Sequence, residues 1–213
     1  MFFFVFLTAC LAAYYGVDVS QPTDAGSIQC LRDNGFNGFF ICRSWCSPGY
    51  FDDNAPYTLG QAQSVGFTGD NSEVYFYPCL SCGNPEGQVA DFWQQVYNNR
   101  MNFKRVWFDI EGDWYNDVGS NRDFFERMMN EANAEQIVNG VYASAYYWGN
   151  IFGDYTWGGA SYTPLWYPHY DNWDSFGDFG GFGGWSWPTM KQYRGDVSIC
   201  SAGVDYNYRE TIG

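Results

Sequence analysis

Two acidic residues stand close together inside an otherwise apolar stretch of the sequence. Asp109 and Glu111 lie in the run from Val106 to Gly112, which reads VWFDIEG. If this run is a β-strand, residues two apart point to the same face, with their Cα atoms roughly 6.5–7 Å apart. Two carboxyl groups so close cannot easily both be ionised, and burial raises the pKa of one of them further. A protonated acid beside a carboxylate is the arrangement that cleaves glycosidic bonds.

Two further aspartates lie at the ends of short apolar runs. Asp18 is in GVDVS and Asp205 is in GVDYNY. An acidic residue at a strand end often caps a helix or faces water in a loop, and that interpretation stays open for each of these alone. For Asp109 and Glu111 a functional interpretation is favoured, because burying an unpaired charge in an apolar strand is costly. We predict that Asp18, Asp109, Glu111 and Asp205 form one catalytic group.

Aromatic side chains occur near the same strand ends. Flat rings can cover the apolar C–H faces of sugars, while carboxylates and amides bind the hydroxyl groups. The alternative is that many of these rings only fill the core. We predict substrate contacts for four of them, Tyr77, Tyr142, Trp166 and Tyr193.

Several other chemistries lack the residues that they need. The sequence has a single histidine, His169, so a Ser/His/Asp triad is not plausible, and we expect His169 to pack at the end of its strand. No glycine-rich phosphate loop follows the first strand, where the residues read GVDVSQPT. No histidine-rich cluster supports a metal site among the carboxylates. We therefore predict neither a metal nor a cofactor.

Eight short apolar runs mark the strands that would position these residues. They begin near Gly16, Phe39, Glu73, Arg105, Val141, Pro164, Met190 and Gly203. The first five units are long enough for a strand, a crossover helix and two loops, so their strands should be parallel. The pattern predicts an α/β fold, a TIM-like (β/α) barrel with about eight strands and with reduced helices in the C-terminal third. An open doubly wound sheet is the alternative.

Capping signals predict where the intervening helices begin. Thr23 is a candidate N-cap for the first helix, and Thr58 begins a capping-box pattern for the second. Pro85 fits the first position of the third helix. Ser120 and Asp123 mark the predicted start of the fourth helix.

Composition narrows the class of protein. The chain has 213 residues, with 10 Lys and Arg against 24 Asp and Glu, and a formal net charge of −14. Binding to nucleic acid phosphates needs an excess of basic residues, so we expect no nucleic acid partner. The aromatic content of 22% is far too high for a disordered acidic segment. The length suits one domain, which we place at residues 14–213.

The first 13 residues, MFFFVFLTACLAA, have the apolar core and the small terminal residues of a signal peptide. The apolar run is too short to span a bilayer, and no later stretch is long enough, so we expect no membrane contact after its removal. A buried N-terminal strand or helix is the alternative. We expect the mature protein to be secreted or to lie in the lysosomal or phagosomal lumen.

Six cysteines lie outside the predicted signal peptide. An even number in an exported chain predicts three disulfides. We expect the pairs Cys30–Cys200, Cys42–Cys46 and Cys79–Cys82. The spacings of the two local pairs also fit a zinc site, and Cys79 with Cys82 fits a redox pair. Both of these alternatives suit a reducing compartment better than an oxidising one.

Six motifs, taken in their order along the chain, can be compared with those of a known family. They are YGVDVSQPT (Tyr15–Thr23), VWFDIEG (Val106–Gly112), GVYASAYYW (Gly140–Trp148), PLWYPHYD (Pro164–Asp171), KQY (Lys191–Tyr193) and AGVDYNY (Ala202–Tyr208). Together they resemble glycoside hydrolase family 25, the Chalaropsis-type lysozymes, and in particular its small secreted eukaryotic members. The motifs span nearly all of the predicted mature chain. The combination of the Asp-x-Glu strand with the opening DVS and the terminal VDYN carries most of the specificity.

The resemblance implies hydrolysis of the β-1,4 bond after N-acetylmuramic acid in bacterial peptidoglycan. It also implies net retention, with the substrate's own N-acetyl group as internal nucleophile. Glu111 matches the general acid, and Asp109 matches the carboxylate that steadies the N-acetyl group. Asp18 and Asp205 match flanking acids that position the substrate and tune Glu111. The protein would be a secreted lysozyme that acts as a monomer in bacterial digestion or defence.

Two other functions stay open. A non-catalytic glycan-binding protein could use the aromatic residues alone, although the presence of all four acids counts against it. A chitinase-like glycosidase would share the participation of an N-acetyl group. Because a net charge of −14 gives no attraction to anionic bacterial walls, we expect activity at acidic pH, where Glu111 keeps its proton.

Overall fold

A computed structural model describes residues 13–211 of the chain. The predicted signal peptide therefore lies outside the described residues except for Ala13, as do the last two residues of the predicted barrel domain. Among residues 13–211, none of the helices is both long enough and apolar enough to cross a membrane.

The described residues form one sheet of nine strands. They are β1 (Tyr14–Val19), β2 (Phe39–Cys46), β3 (Tyr50–Phe51), β4 (Ser72–Phe76), β5 (Val106–Ile110), β6 (Asn139–Ala143), β7 (Leu165–Pro168), β8 (Met190–Ile199) and β9 (Ala202–Arg209). The order is β1-β9-β8-β7-β6-β5-β4-β2-β3, and a further pairing of β1 with β2 closes eight of them into a barrel. The predicted barrel is confirmed, and the alternative of an open sheet is wrong.

The directions of the strands bring their carboxyl ends together. Apart from the short hairpin strand β3, neighbouring strands are parallel, as predicted for the first five units. The exception is β9, which runs antiparallel to both β8 and β1. A two-residue turn with positive φ at Cys200 and Ser201 joins β8 to β9, and this turn is too short for a crossover. The carboxyl ends of the parallel strands and the start of β9 thus meet at one end, here called the upper end.

Helices pack around the outside of the barrel. They are α1 (Ala25–Asp33), α2 (Ala55–Ser64), α3 (Pro85–Asn98), α4 (Val118–Ala134) and α5 (Ala145–Phe152). After α5, the part of the chain that the structure describes contains only a 3₁₀ helix, Gly158–Ser161. The predicted reduction of helices in the C-terminal third is confirmed.

The first two helices begin at residues other than the predicted ones. Asp24 rather than Thr23 caps α1, and its carboxylate accepts a hydrogen bond from the Ser27 amide at 2.9 Å. Thr58 lies inside α2, which begins after Asn54. Both stretches contain several residues that can cap a helix, and the packing of the chain selects among them.

The start of α4 also differs from the prediction. Asp117 caps this helix and accepts a hydrogen bond from the Ser120 amide at 2.6 Å. Ser120 and Asp123 therefore lie inside the helix. The predicted start of α3 at Pro85 is confirmed, and Asn84 caps it.

Apolar side chains fill two layers that the strand alternation separates. Residues of β5 such as Phe108 and Ile110 belong to the larger layer between strands and helices. The interior of the barrel is filled by a smaller set, Phe39, Ile41, Trp107, Tyr142, Trp166 and Met190. Because successive residues of a strand face opposite sides, Asp109 shares the interior face with Trp107.

A buried ion pair closes the lower end of the barrel. Glu73 at the start of β4 pairs with Arg209 at the end of β9, and the Nη1 atom of Arg209 lies 3.0 Å from the carboxylate. Glu73 also accepts a hydrogen bond from the Trp107 indole at 2.6 Å, and Arg105 lies 3.8 Å away. Burial alone would raise the pKa of Glu73, but the two arginines hold it below its ordinary value. At the lower end the charge of Glu73 is thus compensated by the two arginines.

Two of the three predicted disulfides are confirmed. Cys30–Cys200 joins α1 to the turn between β8 and β9, across 170 residues of sequence. Cys79–Cys82 closes a short loop after β4. The first bond ties the end of a long hairpin to the body of the barrel.

The predicted bond between Cys42 and Cys46 is wrong, because both are buried free thiols. They lie four residues apart on β2, which separates their Cα atoms by about 13 Å, and a disulfide needs less than about 7 Å. The alternative zinc site loses two ligands as well, since Cys79 and Cys82 are bonded to each other.

Candidate active site

The upper end of the barrel brings the four predicted acids into one pocket. Asp18 comes from β1, Asp109 from β5 and Asp205 from β9, and Glu111 directly follows β5. The pocket has a volume of about 100 Å³. Its lining consists of the four acids with Tyr75, Tyr142, Trp166, Tyr170 and Gln192.

Strand geometry explains this grouping. All of β5 is buried, with Asp109 facing the interior and Ile110 packed against the helices, so Glu111 returns to the interior side. Asp18 and Asp205 are direct register partners on β1 and β9. The structure therefore has the predicted spatial grouping, while the catalytic role of each acid stays a prediction.

A fully bonded glutamine organises the pocket. Gln192 on β8 donates hydrogen bonds to Asp18 at 2.9 Å and to Asp205 at 3.1 Å. Its oxygen accepts from the hydroxyls of Tyr142 at 2.8 Å and Tyr170 at 2.7 Å. A glutamine side chain has two donor hydrogens and two acceptor positions, so every one of them is used. The amide is held in one orientation and fixes both carboxylates.

Asn207 on β9 makes a second connection to Asp18. Its amide donates to Asp18 Oδ1 at 2.7 Å, and its oxygen accepts from the Trp166 indole at 2.8 Å. Asp205 in turn accepts a hydrogen bond from the backbone N–H of Asp196 at 2.7 Å. Asp18 and Asp205 are therefore both held by donors of the protein itself.

Asp109 differs from these two acids in the hydrogen bonding of one carboxylate oxygen. Only 6% of the residue is exposed, yet its Oδ1 atom has no hydrogen-bond partner among the described residues. Burial raises the pKa of Asp109 well above its ordinary value, and the charges of Glu111 and Asp18 raise it further. A buried acceptor without a donor is normally costly. This oxygen is available to a hydrogen-bond donor on a ligand.

The pKa values of the other three acids are raised as well. Burial, followed by the charge of Asp205, raises the pKa of Asp18 and of Glu111. Burial likewise raises the pKa of Asp205. The pocket can therefore retain a proton on Glu111 beside other carboxyl groups, which is what a general acid requires.

Three of the four predicted aromatic residues lie at this pocket or beside it. Tyr142 and Trp166 line the pocket itself. Tyr77 is half-buried, and its hydroxyl donates to the backbone carbonyl of Glu111 at 3.4 Å. Tyr77 thus contacts the segment that carries the candidate acid.

Tyr193 lies elsewhere. It follows Gln192 in β8 and so belongs to the outer layer, where its ring packs on Tyr206 with centroids 6.0 Å apart. The structure does not bring Tyr193 into the carboxylate pocket. A contact between Tyr193 and a substrate stays a prediction from sequence alone.

Four residues of the site were not among the predicted site residues. Tyr75 and Tyr170 are further aromatics near strand ends, and the sequence offered no means of ranking them above their neighbours. Asn207 lies two residues after Asp205, so the two-residue period that relates Asp109 to Glu111 could have identified it. Gln192 could not be identified in this way, because its place depends on pairing with β9.

His169 is neither in the pocket nor packed as expected. Its side chain is 55% exposed and its Nδ1 atom lies 2.5 Å from Asp178. With Asp171 it completes the one His/Asp cluster among residues 13–211 that could hold a metal ion. The buried ammonium of Lys191 already contacts both aspartates at 2.8 Å. These residues form an ion-pair network that anchors the loop after β7.

The chain is similar over most of its length to lysozyme-related proteins. Residues 10–193 match a protein-family model described as Lysozyme-like protein 1. The chain is 37% identical to Probable GH family 25 lysozyme 4 of Dictyostelium discoideum, with 96% of this chain and 94% of that protein covered. It is 38% identical to Probable GH family 25 lysozyme 2 of the same organism, with 96% and 95% covered.

The fold is also similar to solved structures. A muramidase from Acremonium alcalophilum superposes with a TM-score of 0.73 at 17% identity, covering 92% of this chain and 93% of that one. A family GH25 lysozyme from Aspergillus fumigatus gives a TM-score of 0.72 at 17% identity, covering 93% and 94%. At such low identity the likeness establishes the fold alone.

Proposed function

The chain belongs to the glycoside hydrolase family 25 lysozymes, and we propose that it is a secreted, monomeric N-acetylmuramidase that degrades bacterial peptidoglycan. Its family membership makes it a glycoside hydrolase. The bond that we assign to it is the β-1,4 bond between N-acetylmuramic acid and N-acetylglucosamine. Cleavage proceeds with retention at the anomeric carbon. The biological role is digestion of bacteria or defence against them.

The unpartnered Oδ1 atom of Asp109 is the observation that carries this proposal. Its Oδ1 atom is buried without a donor in the same pocket as Glu111. The N-acetyl group of a bound amino sugar supplies an N–H that can donate to this oxygen. Such a bond aims the carbonyl oxygen of the N-acetyl group at the anomeric carbon of the same sugar.

The reaction then takes two steps. In the first, the N-acetyl oxygen attacks the anomeric carbon while the glycosidic bond breaks, and the proton of Glu111 passes to the leaving oxygen. Asp109 stabilises the positive charge of the cyclic intermediate. In the second step, Glu111 removes a proton from a water molecule as the water oxygen attacks the anomeric carbon. The bond from the N-acetyl oxygen to that carbon breaks, which opens the ring and restores the N-acetyl group with overall retention.

The flanking acids support Glu111 in this scheme. Asp205 contributes to the raised pKa of Glu111, and this favours the protonated acid before the first step. Asp18 and Asp205 are held by Gln192, so their charges stay in fixed positions during the reaction.

An acidic working pH is also part of the proposal, and it rests on the proton of Glu111 and on the net charge of the chain. Glu111 must hold a proton to act as the acid, so activity declines as the pH rises through its raised pKa. The formal charge of −14 also repels anionic cell walls at pH 7, and protonation toward about pH 4–5 reduces that repulsion. A pH–rate profile on cell walls that peaks well above pH 7 would contradict this part of the proposal.

Glu111→Gln is the direct test of the mechanism. The wild type should release reducing N-acetylmuramic acid ends from purified peptidoglycan, and the variant should lose about 100-fold to 10,000-fold in kcat without unfolding. Glu135→Gln is the matched control, because Glu135 is exposed beyond the end of α4 and should tolerate the change.

The same assay separates the alternatives. Cleavage of chitin oligomers without cleavage of peptidoglycan would indicate a chitinase-like glycosidase. Binding to peptidoglycan without new reducing ends would indicate a glycan-binding protein. For secretion, mass spectrometry of protein from the medium of cells expressing the full chain should find an N-terminus near Tyr14. Light scattering should give the mass of one chain.

A further inference from the structure

A second, larger cleft opens beside the candidate acid. It has a volume of about 580 Å³, and its lining includes Gly112, the residue directly after Glu111. One wall is the loop that follows β5, and the other is α5, which carries Tyr146, Tyr147 and Asn150. We call this the Tyr146 cleft. Its volume is within the range of ligand-binding sites, about 300–1,000 Å³.

Buried hydrogen bonds hold the two walls together. Asn121 is 1% exposed, and its amide donates to the carbonyls of Tyr115 and Ile151, each at 2.9 Å. Its oxygen accepts from the Tyr115 amide at 3.0 Å. The indole of Trp114 donates to the Glu111 carbonyl at 3.2 Å. The cleft is therefore preformed and fixed relative to the catalytic pocket, which reduces the entropy lost on binding.

The open surface of the cleft suits a sugar. Tyr146 is 70% exposed, and its ring packs edge-on against Tyr147 with centroids 5.3 Å apart. Tyr146, Asn116 and Asn150 line the cleft and are all exposed. A flat ring matches the C–H face of a sugar, and amides match its hydroxyl and N-acetyl groups.

The position of the acid decides which part of the substrate lies here. A general acid gives its proton to the oxygen of the leaving sugar, so the leaving strand lies on the side of Glu111. The cleft on the opposite side of the barrel, about 410 Å³ in volume, is lined by Asp18 and Asp205 but not by Glu111 or Gly112. β1 and β9 indeed lie across the barrel from β5 and β6.

We propose that the Tyr146 cleft binds N-acetylated sugars of the leaving strand, so that the enzyme selects bonds that are followed by further sugars. This inference rests on the proposed function, because it takes Glu111 as the acid. It identifies Tyr146 as a residue that determines specificity for strand length. The enzyme should therefore disfavour bonds close to the reducing end of a strand, where few sugars follow the cleaved bond.

The test compares two substrates that differ beyond the cleaved bond. One is a long glycan strand from peptidoglycan, and the other is an aryl glycoside whose leaving group is the aryl ring alone. Tyr146→Ala should lower kcat/KM on the strand about tenfold, mostly through KM, and clearly less on the aryl glycoside. Tyr146→Phe keeps the ring and should retain the preference. Tyr162→Ala is the matched control, since Tyr162 is 74% exposed and lies outside the cleft.

Binding gives a second measurement that does not depend on turnover. In a Glu111→Gln background, Tyr146→Ala should weaken binding of the long strand about tenfold. An equal loss on both substrates, or unchanged binding, would overturn the inference. A wild type that cleaves neither substrate, together with weaker binding by Tyr146→Ala, would instead refute the proposed function while supporting the cleft as a glycan site.

Discussion

Asp109→Asn should make the protein more stable at neutral pH while removing most of its activity. Asp109 is buried, receives no hydrogen bond on Oδ1 and has a pKa raised first by burial and then by Glu111 and Asp18. Asparagine has nearly the same shape but no charge, so the substitution removes the cost of ionising this site. It also removes the group that would steady the N-acetyl group of the substrate.

The direction and size of the effect depend on pH. A carboxyl whose pKa is raised by folding binds a proton more tightly in the folded state, so wild-type stability falls as pH rises from the ordinary value of about 4 through the raised one. Each unit of raised pKa costs about 1.4 kcal/mol once both states are ionised. Because asparagine carries no charge at this unpartnered position, we expect Asp109→Asn to gain about 1–3 kcal/mol at pH 7.5. The gain should nearly vanish at about pH 4.5, close to the unfolded value.

Urea unfolding at the two pH values measures this gain. The melting temperature at pH 7.5 should rise by about 2–4 °C for each kcal/mol gained in the free energy of unfolding. Asp52→Asn is a matched control, because Asp52 is also 6% exposed but accepts hydrogen bonds from Arg43 and Asn54. That variant should lose stability. If Asp109→Asn is less stable than the wild type at pH 7.5, or gains equally at both pH values, the argument that Asp109 is an unsatisfied buried acid is refuted.

Three further expectations concern the groups around the site. Arg209→Met should cost about 3–5 kcal/mol in urea unfolding, because it leaves Glu73 charged and buried, and a compensating Glu73→Leu should recover much of the loss. Gln192→Glu adds a carboxyl group beside Asp18 and Asp205. Its negative charge should raise the pKa of Glu111, so the falling limb of the pH–rate profile should move to higher pH while kcat drops. Opening the Cys30 disulfide by serine substitution should cost about 5 kcal/mol, against about 2 kcal/mol for the short-range disulfide, as measured by denaturant unfolding.

The spacing of apolar and acidic residues along the sequence was enough to predict that the four acids lie together. Asp109 and Glu111 share a face because strand residues alternate, and apolar flanks identified the strand. Asp18 lies near the end of a comparable run, and parallel strands bring such ends together. Asp205 reaches the same place because β9 is antiparallel and starts at the upper end. The barrel followed from the same regular intervals between runs.

Contacts between residues that are distant in the sequence could not be predicted from the spacing of residues along it. The role of Gln192 depends on four partners that lie 13 to 174 residues away in the sequence. The predicted disulfide between Cys42 and Cys46 failed for a different reason. The two residues are close in sequence, but both lie on one extended strand, which holds them too far apart to bond. The helix caps moved by a few residues for a related reason, because several polar residues in a row compete locally and tertiary packing decides between them.

The antiparallel pairing of β1 with β9 has a practical consequence. Tyr14 and Arg209 are register partners, so the described chain enters and leaves the barrel side by side at the lower end, away from the carboxylates. A tether or an appended binding domain at either terminus would point the mouth of the barrel outward. An enzyme immobilised on beads through its tail would therefore still face suspended cell-wall fragments. The same adjacency makes the barrel suited to circular permutation, with new termini opened in a loop elsewhere.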